Sequence, residues 1–279
     1  MASGHAFAST TNGIEAEDPE TASISPSSQH IMEVTPVAPG QEMATFAARL
    51  TEGSTSLARD VEWTVTSGSG QVVLASTSTT AAAALPPGFY TVAARYGAIK
   101  LDESFTLLEG TSANLVFVLN AGALRVLPRV PGITTPDVAS ETRIFALTGK
   151  AQGKLVEESH VPGEIINLTA GQYRIESRMM MGNAVAVTDV KVKPGVISAV
   201  EIDHHAGLAR LAYVGAPSAK VKWEIRRGPA VEISSIDGLN ASVVLRPGSY
   251  TAVAHVGREE LSATFQIEDG KARDIMLGN

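Results

Sequence analysis

Short segments in which apolar and polar residues alternate recur along most of the chain. In one of them the apolar members are Tyr90, Val92, Ala94 and Tyr96, and Gly, Pro, Asn or Ser residues separate it from its neighbours. Alternation with a period of two is typical of a half-buried β-strand, and no segment shows the period of a helix. In the first part of the chain this pattern predicts strands at 43–50, 59–66, 71–76, 79–85, 89–96, 99–107 and 113–119. Seven such strands predict a sandwich of two sheets.

A motif, Leu-x-x-Gly-x-Tyr, occurs three times along this pattern. Its tyrosines are Tyr90, Tyr173 and Tyr250, which gives a period of about 80 residues. An aromatic residue precedes each tyrosine and a turn glycine follows it; these are Trp63 and Gly110, Phe145 and Gly195, and Trp223 and Gly270. We therefore predict three tandem antiparallel β-sandwich domains, at 41–121, 122–206 and 207–279.

Each part of the motif has a predicted structural role. Pro87-Gly88 suits the centre of a type II turn. The tyrosine that follows can bury its ring and return its hydroxyl to the backbone as a tyrosine corner, and the Trp or Phe supplies the bulky centre of the core. The late glycine is predicted to mark a hairpin between the last two strands. The joins at Gly122 and Gly207 leave almost no linker, so we expect a semi-rigid rod.

The N-terminal residues 1–40 are rich in Ser, Thr, Ala, Pro and Glu and poor in large apolar side chains. Such a segment buries too little surface to offset its ordering entropy, so we predict a disordered tail. Within it, Ala6-Phe7-Ala8 fits the small-x-small pattern that precedes a signal-peptidase cut, although no charged or apolar region comes before it. Two interpretations stay open, the remnant of a signal peptide and a plain flexible terminus.

Composition excludes several classes of function. The chain has no cysteine, which removes disulfides, zinc-thiolate sites and thiol nucleophiles. The formal net charge of −7 and the lack of a basic cluster argue against nucleic-acid binding. No apolar run reaches the length of about 18 residues that a membrane-spanning helix needs.

The only metal-like cluster in the sequence is Asp203-His204-His205. Adjacent residues of a strand point to opposite faces, so these two histidines cannot easily bind one ion, and a polar domain junction is the favoured interpretation over a metal-binding or pH-sensing role. No Gly-x-Ser-x-Gly motif is present, and the acidic pairs of the chain suit solvated turns. We therefore expect no enzyme activity, no metal and no cofactor.

The run Met179-Met180-Met181, followed by Gly182, is the most unusual feature of the second repeat, which is two residues longer here than the others. Methionine adapts its shape to many surfaces, so an exposed hairpin tip with these three residues is a candidate contact for a protein partner. The alternative is that two of them cap the edge of the core.

At the Leu-x-x-Gly-x-Tyr motifs the chain resembles the carboxypeptidase-regulatory-like and prealbumin-like (Ig-like) β-sandwiches of bacterial surface proteins. The resemblance covers about residues 41–279 and implies a stalk, an adhesin segment, a sugar-binding accessory or an assembly module in the periplasm or outside the cell. Some members of the family carry a Lys–Asn isopeptide bond. The first strands of the three repeats, at 43–50, 123–127 and 208–213, contain no lysine, so we expect no such crosslink.

These observations favour a non-enzymatic structural or interaction protein of a bacterial envelope or cell surface, which acts as a spacer or as a binding module for protein partners. One alternative is a carbohydrate-binding accessory protein, for which Phe89, Tyr96 and Tyr213 are the candidate platforms. Another is a subunit of a large extracytoplasmic or viral assembly.

Overall fold

The computed structural model describes residues 29–133 and 139–278, and in these ranges the chain forms 22 β-strands and no helix. The predicted all-β class is confirmed. Residues 6–8, for which the signal-peptide remnant and the plain flexible terminus stay open, and most of the predicted tail lie outside the described ranges.

Strand β1 is Gln29–Pro36. The first repeat contains β2 (Met43–Arg49), β3 (Val61–Ser67), β4 (Val72–Ser78), β5 (Thr80–Ala84), β6 (Gly88–Tyr96), β7 (Ile99–Leu107) and β8 (Thr111–Val118). The second contains β9 (Ala121–Arg129), β10 (Ser140–Ala146), β11 (Leu155–Ser159), β12 (Ile165–Thr169), β13 (Gly171–Met179), β14 (Val185–Val192) and β15 (Ile197–Asp203). The third contains β16 (Gly207–Tyr213), β17 (Val221–Arg227), β18 (Ala230–Asp237), β19 (Asn240–Leu245), β20 (Gly248–Val256), β21 (Glu259–Ile267) and β22 (Ala272–Leu277).

All three repeats share one topology of two sheets. The smaller sheets have the orders β5-β2-β8, β12-β9-β15 and β19-β16-β22, with β1 added beside β8 as a fourth strand in the first repeat. The larger sheets have the orders β4-β3-β6-β7, β11-β10-β13-β14 and β18-β17-β20-β21. The first and last strands of each repeat pair in parallel, while the other pairs are antiparallel. The seven strands predicted for the first repeat are confirmed as β2 to β8. Gly, Pro and Ser residues interrupt the alternating pattern and so end the strands near the predicted positions.

Strand β1 corrects the predicted disordered tail at residues 29–36, whereas residues 1–28 lie outside the described ranges. It pairs antiparallel with the edge of β8 along its whole length, because Ile31, Met32 and Val34 give it a strand-forming sequence and β8 offers an open edge. The connection to β2 is held by Glu42, whose side chain accepts hydrogen bonds from the backbone N–H groups of Gly110 (2.9 Å) and Gly40 (3.1 Å). These bonds, that of Gly110 above all, hold the pKa of Glu42 below its ordinary value.

The tyrosine corners are confirmed in all three repeats. The hydroxyl of each tyrosine donates to the carbonyl four residues earlier, from Tyr90 to Pro86 (2.6 Å), from Tyr173 to Thr169 (2.6 Å) and from Tyr250 to Arg246 (2.9 Å). The preceding glycines begin strands β6, β13 and β20. Pro87-Gly88 is therefore not the centre of a type II turn, since Gly88 lies in extended backbone beside the ring of Tyr90.

The late glycines do not mark hairpins. Gly110, Gly195 and Gly270 have φ of 67°, 70° and 68°, a left-handed conformation that suits glycine. The strands on either side of each glycine belong to different sheets, so the turn carries the chain across the sandwich from the larger sheet to the smaller one.

The aromatic centre of the core is confirmed in the outer repeats and wrong in the middle one. Trp63 and Trp223 are fully buried, and their indole N–H groups donate to the carbonyls of Ser78 (3.2 Å) and Gly238 (2.8 Å). Phe145 lies on the outer face of β10, with the guanidinium of Arg143 over its ring at 5.1 Å. Thr142 holds the place of the tryptophans in the sheet register, and Phe145 lies three positions further along the strand. An odd number of positions reverses the face that a side chain occupies, which is why this aromatic points away from the core.

Candidate functional site at the junctions between repeats

The repeats follow one another without a linker. Only Leu119 and Asn120 separate β8 from β9, and residues 204–206 separate β15 from β16. Backbone hydrogen bonds hold both passages, from the N–H of Leu119 to the carbonyl of Arg49 (2.9 Å) and from the N–H of His204 to the carbonyl of Arg129 (2.8 Å). These four residues occupy equivalent places in the two repeats, so both junctions are built in the same way.

A second contact recurs at both junctions and joins a hairpin to the outer edge of the next repeat. At the first junction, the N–H of Ala98, in the β6–β7 turn, donates to the carbonyl of Asn167 on β12 (3.2 Å). At the second, the N–H of Asn183 donates to the carbonyl of Val244 on β19 (3.2 Å), and the N–H of Val244 donates to the carbonyl of Met181 (2.8 Å). Asn167 and Val244 each precede the leucine of the repeat motif, so the hairpins reach equivalent positions.

The longer hairpin of the middle repeat makes the more extensive contact. The amide of Asn183 donates to Glu232 (3.0 Å) and to the hydroxyl of Tyr250 (3.2 Å), and its side-chain oxygen accepts from the N–H of Arg246 (2.9 Å). A methyl group at Gly182 would overlap the carbonyl of Val244, so the backbones approach as closely as glycine allows. Asn183 therefore joins the hairpin to the tyrosine corner of the third repeat.

The three methionines of this hairpin have different environments. Met179 is 2% exposed and packs with Val130, Ala184, Ala206, Leu208 and Val244 in an apolar cluster between the second and third repeats. Met180 and Met181 are 48% and 39% exposed. The predicted partner contact is therefore wrong for Met179, because the third repeat of the same chain already covers it. It stays a prediction for Met180 and Met181.

The core of the middle repeat carries a buried polar cluster at the end nearest this junction. Its members are Ser140, Thr142, Ser177 and His204. The register of the sheets places Thr142 opposite Ser177, where Trp63 faces Ala94 in the first repeat and Trp223 faces Ala254 in the third. Sequence reasoning missed the cluster because it assigned Phe145 to the tryptophan position.

His204 is the centre of this cluster. Its Nε2 lies 3.0 Å from the hydroxyl of Ser177, and its Nδ1 has no hydrogen-bond partner among the described residues. Burial lowers the pKa of His204 from 6.5 to about 4, so the ring is neutral at pH 7. Both side chains are fully buried, so no substrate can reach this Ser–His pair.

The neighbouring His205 points outward, and its Nδ1 lies 3.1 Å from Asp269 of the third repeat. The expected opposite orientation of His204 and His205 is confirmed. Across residues 29–133 and 139–278, no group of three His, Asp or Glu side chains is arranged to hold a metal ion. The same ranges contain no helix that is long and apolar enough to cross a bilayer.

The candidate sugar platforms do not form one surface. Phe89 is 55% exposed at the start of β6, while Tyr96 and Tyr213 are partly buried and pack against the cores of the first and third repeats. Phe89 and Tyr96 occupy odd and even positions of one strand and so face opposite sides of the sheet.

A groove of about 420 Å³ lies between the first two repeats. Lys100 and Asp102 of β7 line one wall, and Thr148 and Lys150 of the β10–β11 connection line the other. Tyr173 also lines the groove, and burial raises the pKa of its phenol to about 12. The groove combines polar side chains with a solvent-facing opening, which suits a small polar ligand.

Among protein families, the Rhizobiales growth-associated tandem repeat domain matches residues 49–120, which span β3 to β8. No curated protein matches the chain.

Solved structures share only a distant likeness with the chain. The Bacillus anthracis TIE protein is 16% identical, with a TM-score of 0.24 over 87% of this chain and 51% of that chain, so this chain spans about half of its length. A streptococcal ancillary pilin is 10% identical, with a TM-score of 0.31 over 85% of this chain and 98% of that one. BcpA, the major pilin subunit of Bacillus cereus, is 10% identical, with a TM-score of 0.22 over 88% and 99%. At these TM-scores the structural likenesses do not bear on function. The match of the first repeat to the Rhizobiales tandem repeat domain is the more specific finding.

Proposed function

We propose that this chain is a non-enzymatic structural protein of a bacterial envelope or cell surface, in the periplasm or outside the cell, where it acts as a spacer that presents a binding surface. One observation carries the proposal: three sandwiches of identical topology follow one another through two equivalent junctions without a linker. Repeats that contact their neighbours in the same way at each step form an extended and stiff chain.

The match of the first repeat to a growth-associated tandem repeat domain supports a bacterial setting and a role in a chain of repeats. The repeat motif also resembles that of carboxypeptidase-regulatory-like domains of surface proteins, and we propose that the three repeats are domains of this kind.

The binding surface that we propose lies on the middle repeat. Met180 and Met181 are exposed at the tip of the β13–β14 hairpin, and Val185 and Val187 are exposed on β14 directly after it. A hairpin tip with several exposed apolar side chains suits a protein partner. Backbone hydrogen bonds that join Met181 and Asn183 to Val244 of the third repeat hold the tip in place while the Met180 and Met181 side chains stay exposed, so little ordering entropy remains to be lost on binding.

Small-angle X-ray scattering of the purified chain tests the spacer role. A stiff rod gives a single extended distance distribution, and a short Gly-Ser insertion after His205 should broaden it because the second junction would then lose its contacts. The same insertion in the exposed β3–β4 turn, at 68–70, is the matched control and should leave the distribution unchanged. A native chain that is as flexible as the insertion variant would refute the spacer role.

Site-specific photo-crosslinking in the bacterial envelope tests the binding surface. A photoreactive residue at Met181 should capture one defined protein, whereas the same residue at Leu108, which is also exposed, should not. Equal capture at both positions, or capture at neither, would contradict a partner surface on the hairpin.

The groove between the first two repeats favours a second candidate function, the binding of a saccharide. Its polar side chains could orient hydroxyl groups, as sugar sites require. A glycan array with the native chain and with Lys150→Ala tests this role. Specific retention that the substitution weakens would support it, and absence of retention would eliminate it.

A further inference from the structure

Each contact between neighbouring repeats joins a hairpin, here called the donor, to a sheet edge, here called the acceptor. One donor and one acceptor have no such counterpart inside the described chain. The donor is the β20–β21 turn of the third repeat. Gly257 in this turn has φ of 64° and is the equivalent of Gly97, with φ of 57°, in the first repeat. A methyl group at Gly257 would meet no atom within 4 Å, whereas one at Gly97 would contact Asn167 of the next repeat at 3.0 Å.

The acceptor is the outer edge of β5 in the first repeat. Ala84 precedes the leucine of the motif, as Asn167 and Val244 do, and β5 is the last strand of its sheet. Beside it lies a groove of about 410 Å³. Its lining includes Ala84, Pro86 and Pro87, together with Glu42 and the exposed Glu109.

From these two surfaces we infer that the 256–259 hairpin of one copy docks on the outer edge of β5 in a second copy, so that the chains associate head to tail. A second copy is the occupant because the contact is continuous with the interface that the chain already uses at both of its junctions. Donor and acceptor are different surfaces, so the interface is heterologous and can repeat from copy to copy. This inference rests on the proposed spacer function, which it extends from one chain to a row of chains.

The internal junctions define how the two surfaces meet. The N–H of Arg258 takes the place of that of Ala98 and donates to the carbonyl of Ala84. The exposed Arg258 side chain then approaches the acceptor groove, where Glu109 supplies the opposite charge. Internal junctions are held by the covalent chain as well, so the contact between copies is weak, dependent on concentration and reduced by salt.

Cysteine crosslinking provides a direct test, because the chain has no native cysteine. A mixture of the Arg258→Cys and Ala84→Cys full-length variants should form disulfide-linked dimers several-fold faster than a mixture of Arg258→Cys with Ala230→Cys. Ala230 is the matched control because it is equally exposed but lies at the β17–β18 turn. Equal rates in the two mixtures would overturn the inference.

Sedimentation equilibrium with charge reversals provides a second test that does not depend on crosslinking. Arg258→Glu and Glu109→Arg should each weaken self-association at low salt several-fold, and a mixture of the two single variants should recover it. A chain that stays monomeric at high concentration, or that associates equally well in all variants, would refute head-to-tail docking. If such a monomer still scatters as a stiff rod, the spacer function stands and only the association fails.

Discussion

The Nε2 of His204 lies 3.0 Å from the hydroxyl oxygen of Ser177, and both side chains are fully buried in the middle repeat. The first repeat has Leu119 in place of His204 and Ala94 in place of Ser177. One hydrogen-bonded pair has thus replaced two apolar side chains at a position where the other repeats are packed around a tryptophan. The middle repeat therefore contains a buried histidine whose protonation should lower its stability.

Acidification should destabilise the chain through His204. Its pKa is about 4 in the folded protein and near 6.5 when exposed, so the unfolded chain takes up the proton first as the pH falls. The free energy of unfolding is not reduced by His204 above pH 6.5. It falls progressively between pH 6.5 and 4, by a total on the order of 3 kcal/mol. Urea unfolding at pH 7.5 and at pH 4.5 measures the difference.

The control for this prediction is the paired substitution His204→Leu and Ser177→Ala, which installs the residues of the first repeat. The variant should lose most of the pH dependence between pH 6.5 and 4.5, while the carboxylates of the chain continue to titrate at lower pH. An unchanged pH profile would show that His204 does not carry the effect.

Loss of a tyrosine-corner hydroxyl should destabilise the chain, and more so in the third repeat. Tyr90→Phe removes one buried hydrogen bond and should cost about 1–2 kcal/mol. Tyr250→Phe should cost more, because its hydroxyl also accepts from the amide of Asn183 in the preceding repeat. Chemical denaturation of both variants measures the two costs, and an equal or smaller cost for Tyr250→Phe would contradict the coupling between corner and junction.

Aromatic residues on the inner and outer faces of the equivalent strands β17 and β10 should contribute very differently to the free energy of unfolding. Trp223→Ala removes a fully buried side chain and should cost about 3–5 kcal/mol. Phe145→Ala removes only an outward ring under Arg143 and should cost about 1 kcal/mol or less. Denaturation followed by circular dichroism compares the two, and a large effect of Phe145→Ala would place this ring in the core after all.

Substitution of Gly182 should open the second junction while the repeats stay folded. The added methyl group of Gly182→Ala overlaps the Val244 carbonyl, so the hydrogen bonds between the hairpin and β19 are expected to break. Hydrogen exchange at the amide of Val244 should then accelerate, and Met179 should become more reactive toward oxidants. Gly53→Ala is the matched control because a methyl group there meets nothing; similar exchange in both variants would contradict the proposed role of the close approach.

Local patterns predicted most of the fold, because alternation and turn residues are properties of neighbouring positions. They located the seven strands of the first repeat and the tyrosine corners, whose partners lie only four residues away. Strand β1 was missed because pairing with β8, far along the chain, stabilises it. The core position of the middle repeat was misassigned because the connection between β10 and β13 is longer than that between β3 and β6, so the equivalent of the tryptophans is Thr142 and not Phe145. The two residues are three positions apart, and an odd offset exchanges a strand's inner and outer faces.

The junction contacts could not be predicted for a related reason. Nothing in the sequence around Met180 shows that the hairpin faces Val244, since the two segments meet only once both sandwiches have formed. The run of methionines is conspicuous in the sequence, but the hydrogen bonds of the contact come from the backbone of Met181 and from the backbone and side chain of Asn183. The position of the inserted residues is the signal that could have revealed the contact. They lie in the β13–β14 turn, and the equivalent β6–β7 turn of the first repeat contacts the next repeat through Ala98.

The parallel pairing of the first and last strands in each repeat has a mechanical consequence. The chain enters β2 at one end of the β2–β8 pair and leaves β8 at the other, so tension applied along the chain would slide the two strands past each other. All the hydrogen bonds of the pair, from Ala44–Ala113 to Arg49–Val118, then share the load and must break together. A hairpin such as β6–β7, pulled from its open end, would instead unzip one bond at a time. Because β9–β15 and β16–β22 repeat the arrangement, each sandwich would meet tension along the chain with its β2–β8, β9–β15 or β16–β22 pair in shear.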